Sequence, residues 1–216
     1  MTMKKVLIFR GGWSGHEPVE TSEITAEELR KRGMEVDLFD DPECLRMADL
    51  EQKYDVIIPV WTMGDISFEA EEALVNAVRN GVGLAGWHGG MCDAFRSHTE
   101  YQFMTGGQWV AHPGGIIDYT VNIISPDPIV AGIADFEMKS EQYYLHVDPG
   151  NEVLATTRFD GSILPWIEGT VMPVVWKRKY GKGNVFYCSL GHCAEEFRRY
   201  PQILEIIVRG VQWAAK

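Results

Sequence analysis

The run Val6-Leu7-Ile8-Phe9 is apolar at every position and stops abruptly at Arg10-Gly11-Gly12. A strand without a polar face must be covered on both sides, which is the condition of a parallel strand buried inside a sheet. Residues 55–60 and 82–85 read the same way, and residues 34–39 alternate Val36 and Leu38 with Glu35 and Asp37, as a less buried strand would. Helices fit between them. Pro18 suits a first helical turn, Ile24 and Leu29 mark its buried side, and Gly33 is a stop. Ser67 caps a second helix whose Leu74, Val75 and Val78 share a face, closed by Asn80-Gly81. Strands alternating with helices at this spacing predict a parallel sheet with right-handed crossovers.

The second half has another rhythm. Residues 119–124, 141–147, 153–157 and 171–176 are strand-like with no long helix between them. Lys179-Tyr180-Gly181-Lys182-Gly183 predicts a hairpin into residues 184–190, the last core strand. Pro201 opens a final helix with Ile203, Leu204, Ile207, Val208 and Val211 on one side. The expectation is an α/β chain with a mostly parallel central sheet and added antiparallel strands, all one domain over residues 1–216.

Composition narrows the partners. Lys and Arg total 20 against 31 Asp and Glu, a net charge of −11 that opposes nucleic acid or an anionic membrane as partner. No stretch approaches the roughly 20 apolar residues of a membrane span. Residues 1–5 lead within five apolar or small positions to Arg10, so a signal peptide is not expected and the chain reads as soluble and cytoplasmic. Cys44, Cys92, Cys188 and Cys193 show no C-x-x-C spacing and are too sparse for a disulfide framework.

Ligands of open α/β sheets bind outside the carboxyl ends of the strands. There the sequence places Gly11-Gly12-Trp13-Ser14-Gly15-His16, then Trp61 to Asp65, then Gly86-Trp87-His88-Gly89-Gly90, and finally Gly191-His192-Cys193. The third has the form of a strand–turn–helix elbow that exposes its central residue, here His88. A histidine there serves as base, proton donor or metal ligand, not as an acyl-transfer nucleophile. Gly11 to Gly15 lacks the spacing of a phosphate loop.

Together with Gly106 to Gly115, Ser140-Glu141-Gln142-Tyr143-Tyr144 and Gly181 to His192, these segments resemble the trehalose-utilization (ThuA-like) proteins, a branch of the class I glutamine amidotransferase-like fold. The resemblance runs nearly end to end. It implies a flavodoxin-like, three-layer sandwich and a setting in carbohydrate metabolism. Amidotransferases place a cysteine at the elbow and a His-x-Glu pair late in the domain. Here the elbow holds His88, and the late segment reads His192-Cys193-Ala194-Glu195, one residue longer. Cys92 lies four residues past the elbow, so a glutaminase or any thiol-dependent reaction is not expected.

The candidate proton-transfer pair is His88 and Glu141. If residues 141–147 form one strand, Glu141, Tyr143 and Leu145 share a face and His146 lies on the other, as a structural residue. With no H-E-x-x-H and no close His-x-His pair, any metal site must be assembled by the fold from distant loops. His16, His88 and His192 end neighbouring core strands and would hold zinc or another divalent ion, with His112 folding over them. His98 reads as a surface or helix-cap residue.

Trp13, Trp61, Trp87 and Trp109 fall at strand ends or in loops, where aromatic faces stack on sugar C–H groups and acidic residues such as Asp65 accept from hydroxyls. With His16, His112 and His192 they form the expected substrate-binding set. Trp176 and Trp213 are core candidates. One reading is an acid–base enzyme, metal-assisted or not, that acts as a lyase, isomerase or hydrolase on a sugar or keto-sugar derivative. The other is a non-catalytic domain that binds a sugar or docks on a partner, itself included as a homo-oligomer. A redox or hydrolytic relative using Cys92 is the weakest reading.

Overall fold

The computed structural model describes residues 3–216; Met1 and Thr2, where the signal-peptide reading begins, lie outside them. The elements run β1 (Lys5–Gly12), α1 (Pro18–Lys31), β2 (Glu35–Phe39), a short α2 (Leu50–Lys53), β3 (Val56–Thr62), α3 (Phe68–Asn80), β4 (Gly83–Trp87), α4 (His88–Cys92) and α5 (Thr99–Thr105). They continue with β5 (Gly107–Ala111), β6 (Ile116–Ile123), β7 (Phe136–Glu141), β8 (Tyr144–Val147), β9 (Glu152–Arg158), β10 (Val171–Tyr180), β11 (Gly183–Cys188), α6 (Ala194–Arg199) and α7 (Pro201–Ala214).

Among the described residues, nine strands form one sheet in the order β2-β1-β3-β4-β11-β10-β9-β6-β7. The first five are parallel, and the strands beyond β11 are antiparallel. This is the α/β arrangement expected, flavodoxin-like in its parallel half. The alternation of side chains along β1 explains the layers. Val6 and Ile8 enter the core under α1 and α7, while Leu7 and Phe9 enter the core under α3 and α5. Both cores are built from fully buried aliphatic and aromatic side chains, so a strand with no polar face is what each position requires.

The local signals hold where predicted. Pro18 opens α1, and Ser67 Oγ accepts from the Ala70 amide at 3.2 Å to cap α3. The predicted hairpin joins β10 to β11, and β11 pairs in parallel with β4. Two features differ. Residues 141–147 are not one strand: β7 ends at Glu141, and β8 starts at Tyr144 and pairs with β5 in a separate ribbon. The sequence concealed β5 because its burial follows no clean alternation. The chain changes sheets between Glu141 and Tyr144, which frees both Glu141 and Tyr143 to turn inward. Among the described residues, no helix is long and apolar enough to cross a membrane.

Candidate functional site

Three core strands end at the same edge, and each delivers a histidine. His16 closes the turn after β1, His88 follows β4 directly, and His192 follows β11. Glu141 arrives from the end of β7. One ligand atom from each of these four residues lies within 4.8 Å of all the others. Glu141 Oε2 stands 3.2 Å from His88 Nε2, 3.5 Å from His192 Nδ1 and 3.7 Å from His16 Nε2. His192 Nδ1 and His88 Nε2 are 3.3 Å apart.

The backbone around the cluster is strained. Glu17, Met63, His88 and Phe95 are the non-glycine residues with positive φ among those described, at 46°, 58°, 46° and 48°. Such geometry costs about 1–3 kcal/mol per residue and persists where the surroundings over-determine it. His88 therefore has the elbow backbone expected of it, but not the exposure. Its side chain is buried, with 1% of the residue accessible, because Glu141 and Tyr143 fold over it. Gly89 is needed beside it: a Cβ there would stand 2.6 Å from His16 Cε1.

Outer contacts fix the rings. His88 Nδ1 donates to the Ser189 carbonyl at 2.8 Å; a carbonyl only accepts, so this nitrogen carries the proton and Nε2 presents a lone pair to the cluster. His16 Nδ1 is engaged by Thr62 Oγ1 at 2.8 Å, which leaves its Nε2 pointing inward as well. The Tyr143 ring stacks on His88 with centroids 4.1 Å apart. The His192 amide donates to Glu196 Oε2 at 3.0 Å.

Electrostatics assign the charges. Burial pushes His88 down to about 4, so it is neutral near pH 7. Burial would raise Glu141, but the hydrogen bonds offered by His16 and His192 outweigh it and hold the carboxyl well below its usual range. His192 goes the other way: burial lowers it, yet Glu141 draws its pKa upward. An anionic carboxylate among inward-facing imidazoles is a ligand set that could hold a metal. Two atoms each about 2.0–2.1 Å from a tetrahedral zinc would stand roughly 3.3–3.4 Å apart. The separations within the cluster bracket that value.

A cleft of about 170 Å³ opens beside the cluster, lined by Trp13, His16, Trp109, His112, Glu141 and Tyr143 among others. Trp13 stands edge-on to His16, and the Arg96 guanidinium lies 4.6 Å over the Trp109 ring while binding Asp93 at 2.6 and 3.0 Å. His112 Nε2 is 3.8 Å from Glu141 Oε1, and its Nδ1 has no partner among the described residues.

Other expected residues lie elsewhere. Trp87 is core, 2% exposed and packed edge-on to Phe197, because the strand alternation turns it under the sheet away from His88. Trp61 covers Gly11 and Gly64, whose added Cβ atoms would fall 2.4 and 2.5 Å from its ring. The Asp65 carboxylate is bound by His98 Nε2 at 2.6 Å, outside the cleft, and His98 Nδ1 reaches Glu71 at 2.7 Å. His146 is exposed. Cys92 is buried, and burial pushes its thiol well above the ordinary range, so it is no ready thiolate. Tyr143 and Thr62 are site residues that sequence reasoning did not single out, although both sit inside segments it flagged.

The His98 contacts give a testable pH effect. Burial lowers its pKa, but the bonds to Glu71 and Asp65 prevail and the net shift is upward. Stability from this triad is then fully present below the unfolded value near 6.5 and lost as pH rises through the folded pKa. Thermal unfolding of His98→Gln should fall further below wild type at pH 5.5 than at pH 8.5. An equal deficit at both would contradict the ionic contribution.

The model of a family described as ThuA, trehalose utilisation, matches residues 5–214. A ThuA-like protein from Bacteroides uniformis superposes with a TM-score of 0.77 at 19% identity, covering 98% of this chain and 91% of its own. A cytoplasmic protein from Salmonella typhimurium gives 0.67 at 13% identity, over 98% and 100% of the two chains. A β-galactosidase from Bacillus circulans gives 0.64 at 16% identity, over 99% of this chain and 31% of that one. At these identities the likenesses speak to the fold. Among curated proteins none matches the sequence.

Proposed function

Because the chain belongs to the ThuA family of trehalose utilisation, we propose that it is a cytoplasmic enzyme of carbohydrate metabolism, acting by metal-assisted acid–base chemistry on a keto-sugar derivative. The observation that carries this reading is the convergence of three inward-facing imidazoles and one carboxylate at the carboxyl edge of the sheet. His16, His88 and His192 would hold the ion, and Glu141, which like His16 borders the cleft, would yield the fourth direction to substrate when it acts as a base. Three protein nitrogens with the fourth direction exchangeable is the arrangement of catalytic rather than structural zinc. A divalent ion held there supplies Lewis acidity toward a carbonyl or hydroxyl oxygen of the sugar.

The chain's own residues do the remainder. A cleft of about 170 Å³ is below the roughly 300–1,000 Å³ of drug-sized sites, and suits one sugar ring better than two. Trp13 and Trp109 offer apolar faces to the ring's C–H groups. A keto group acidifies the neighbouring C–H bond, and Glu141, the carboxylate in the cleft wall, is the acceptor this reading assigns to that proton. His112 stands beside Glu141 Oε1 with Nδ1 unpartnered, so it is the imidazole free to relay a proton at the rim. His88, locked to Ser189 and stacked on Tyr143, positions rather than shuttles.

The test is turnover of a panel of keto-derivatives of glucose and trehalose, before chelation, after chelation and after restoring zinc. The reading predicts turnover that chelation abolishes and zinc restores. Turnover indifferent to chelation would remove the metal, and no turnover by the metal-loaded chain would leave a binding role.

A further inference from the structure

The antiparallel half of the sheet is split. β6 stays paired with β7 from Ile116 to Val121, but meets β9 only at Asn122↔Thr156 and Ile123↔Ala155. Between residues 117–120 of β6 and the end of β9 lies a groove of about 440 Å³. That volume falls within the range of small-molecule sites. The groove and the cleft beside the histidines share no lining residue.

Its walls need polar partners. Thr157 Oγ1 donates to the Thr120 carbonyl at 2.9 Å, which turns the Thr120 backbone toward the split. The two-residue period of a strand gives Asp118 the same direction. Apart from the Thr120 carbonyl, peptide groups turned that way have no ladder partner on β9 among the described residues and are left to solvent or a ligand.

Gln142 closes the floor and is 3% exposed. Its Nε2 donates to Thr157 Oγ1 at 2.8 Å and to the Arg158 carbonyl at 3.3 Å. The Thr157 hydroxyl already gives its proton to Thr120, and a carbonyl can only accept, so both partners require the donor end of the amide. The orientation is fixed, and the amide oxygen has no hydrogen-bond partner among the described residues. Asp118, Asp160 and Arg158 line the open side, and Ile117 and Ile163 supply apolar surface.

We infer that this groove is a second carbohydrate-binding site, taking a neutral sugar unit; the choice of ligand rests on the carbohydrate reading above. Hydroxyl groups both donate and accept, as the carboxylates, the Gln142 oxygen and the free peptide groups require. Ile117 and Ile163 suit a ring's C–H face. An anionic ligand would meet Asp118 and Asp160, and a purely apolar one would cover the amide oxygen without pairing it. Gln142 lies between Glu141 and Tyr143, so the groove and the histidine cluster share one segment of chain as a common wall.

The test is a titration of the ¹⁵N-labelled full chain with trehalose and, separately, with glucose, followed by backbone amide shifts with chelator present. The groove predicts shifts at residues 117–120, 142 and 158–163 that persist when metal is stripped. Asp118→Ala and Asp160→Ala, both at exposed positions, should each weaken binding by about tenfold, the loss of one hydrogen bond to a charged group. Shifts confined to Trp13, Trp109 and His112 would overturn the groove while leaving the proposed function standing. No shift with either sugar would also overturn it, and the proposed function would then be decided by the turnover panel alone.

Discussion

If the cluster holds zinc as proposed, His88→Ala is expected to lose zinc binding and a large part of the fold's stability together. His88 is buried, so truncation leaves the Ser189 carbonyl unpaired, at about 1–3 kcal/mol, and opens a cavity against Tyr143. Loss of the ion removes a further ~2.7 kcal/mol if the wild type is held at a hundred times its dissociation constant. An exposed elbow residue, as the sequence reading has it, would change stability by no more than about 0.5 kcal/mol. Thermal unfolding with and without chelator separates the contributions. Chelator should lower the wild-type melting temperature and leave the variant unmoved. A variant that melts like wild type and keeps its metal would place His88 outside the site.

Glu141→Gln is expected to divide those effects. The amide has the shape of the carboxylate but no charge, so the apo chain should fold with the same strands and the same imidazole positions. Metal affinity should fall by at least about 10²-fold, since even partners that merely orient ligands are worth 10–100-fold. His192 is drawn toward protonation chiefly by Glu141, so its pKa should fall in the variant. Turnover should fall with the proton acceptor gone, even when zinc is supplied in excess. Calorimetric titration of zinc into the apo variant measures the affinity directly. Unchanged affinity would show that the three imidazoles suffice and that Glu141 acts on the sugar alone.

The parallel half of the fold was legible because burial on both faces leaves no choice of residue. Val6 to Phe9 and Val56 to Ile58 carry that constraint in every side chain. His16, His88 and His192 were legible for a related reason: each follows such a strand within a glycine-bearing turn, and strand ends of a parallel sheet share one edge. Glu141 was found, but the strand drawn through it was wrong, since the run Tyr143-Tyr144-Leu145 directly after Gln142 hides a change of sheet. What failed depended on contacts across the chain. Trp87 and His88 are adjacent, and one is core while the other joins the histidine cluster, because the elbow reverses the side-chain direction between them. Asp65 looked free until the fold brought His98 to it from 33 residues away. Tyr143 and Thr62 are ordinary residues whose roles exist only through partners on other strands.

X-ray absorption spectroscopy on wild-type protein reconstituted with zinc, after removal of free ion, tests the metal centre most directly. About one ion per chain is expected, in a shell of nitrogen and oxygen atoms at about 2.0–2.1 Å with the outer scattering of imidazole rings. An ion held by sulfur, or one lost on simple desalting, would contradict that expectation.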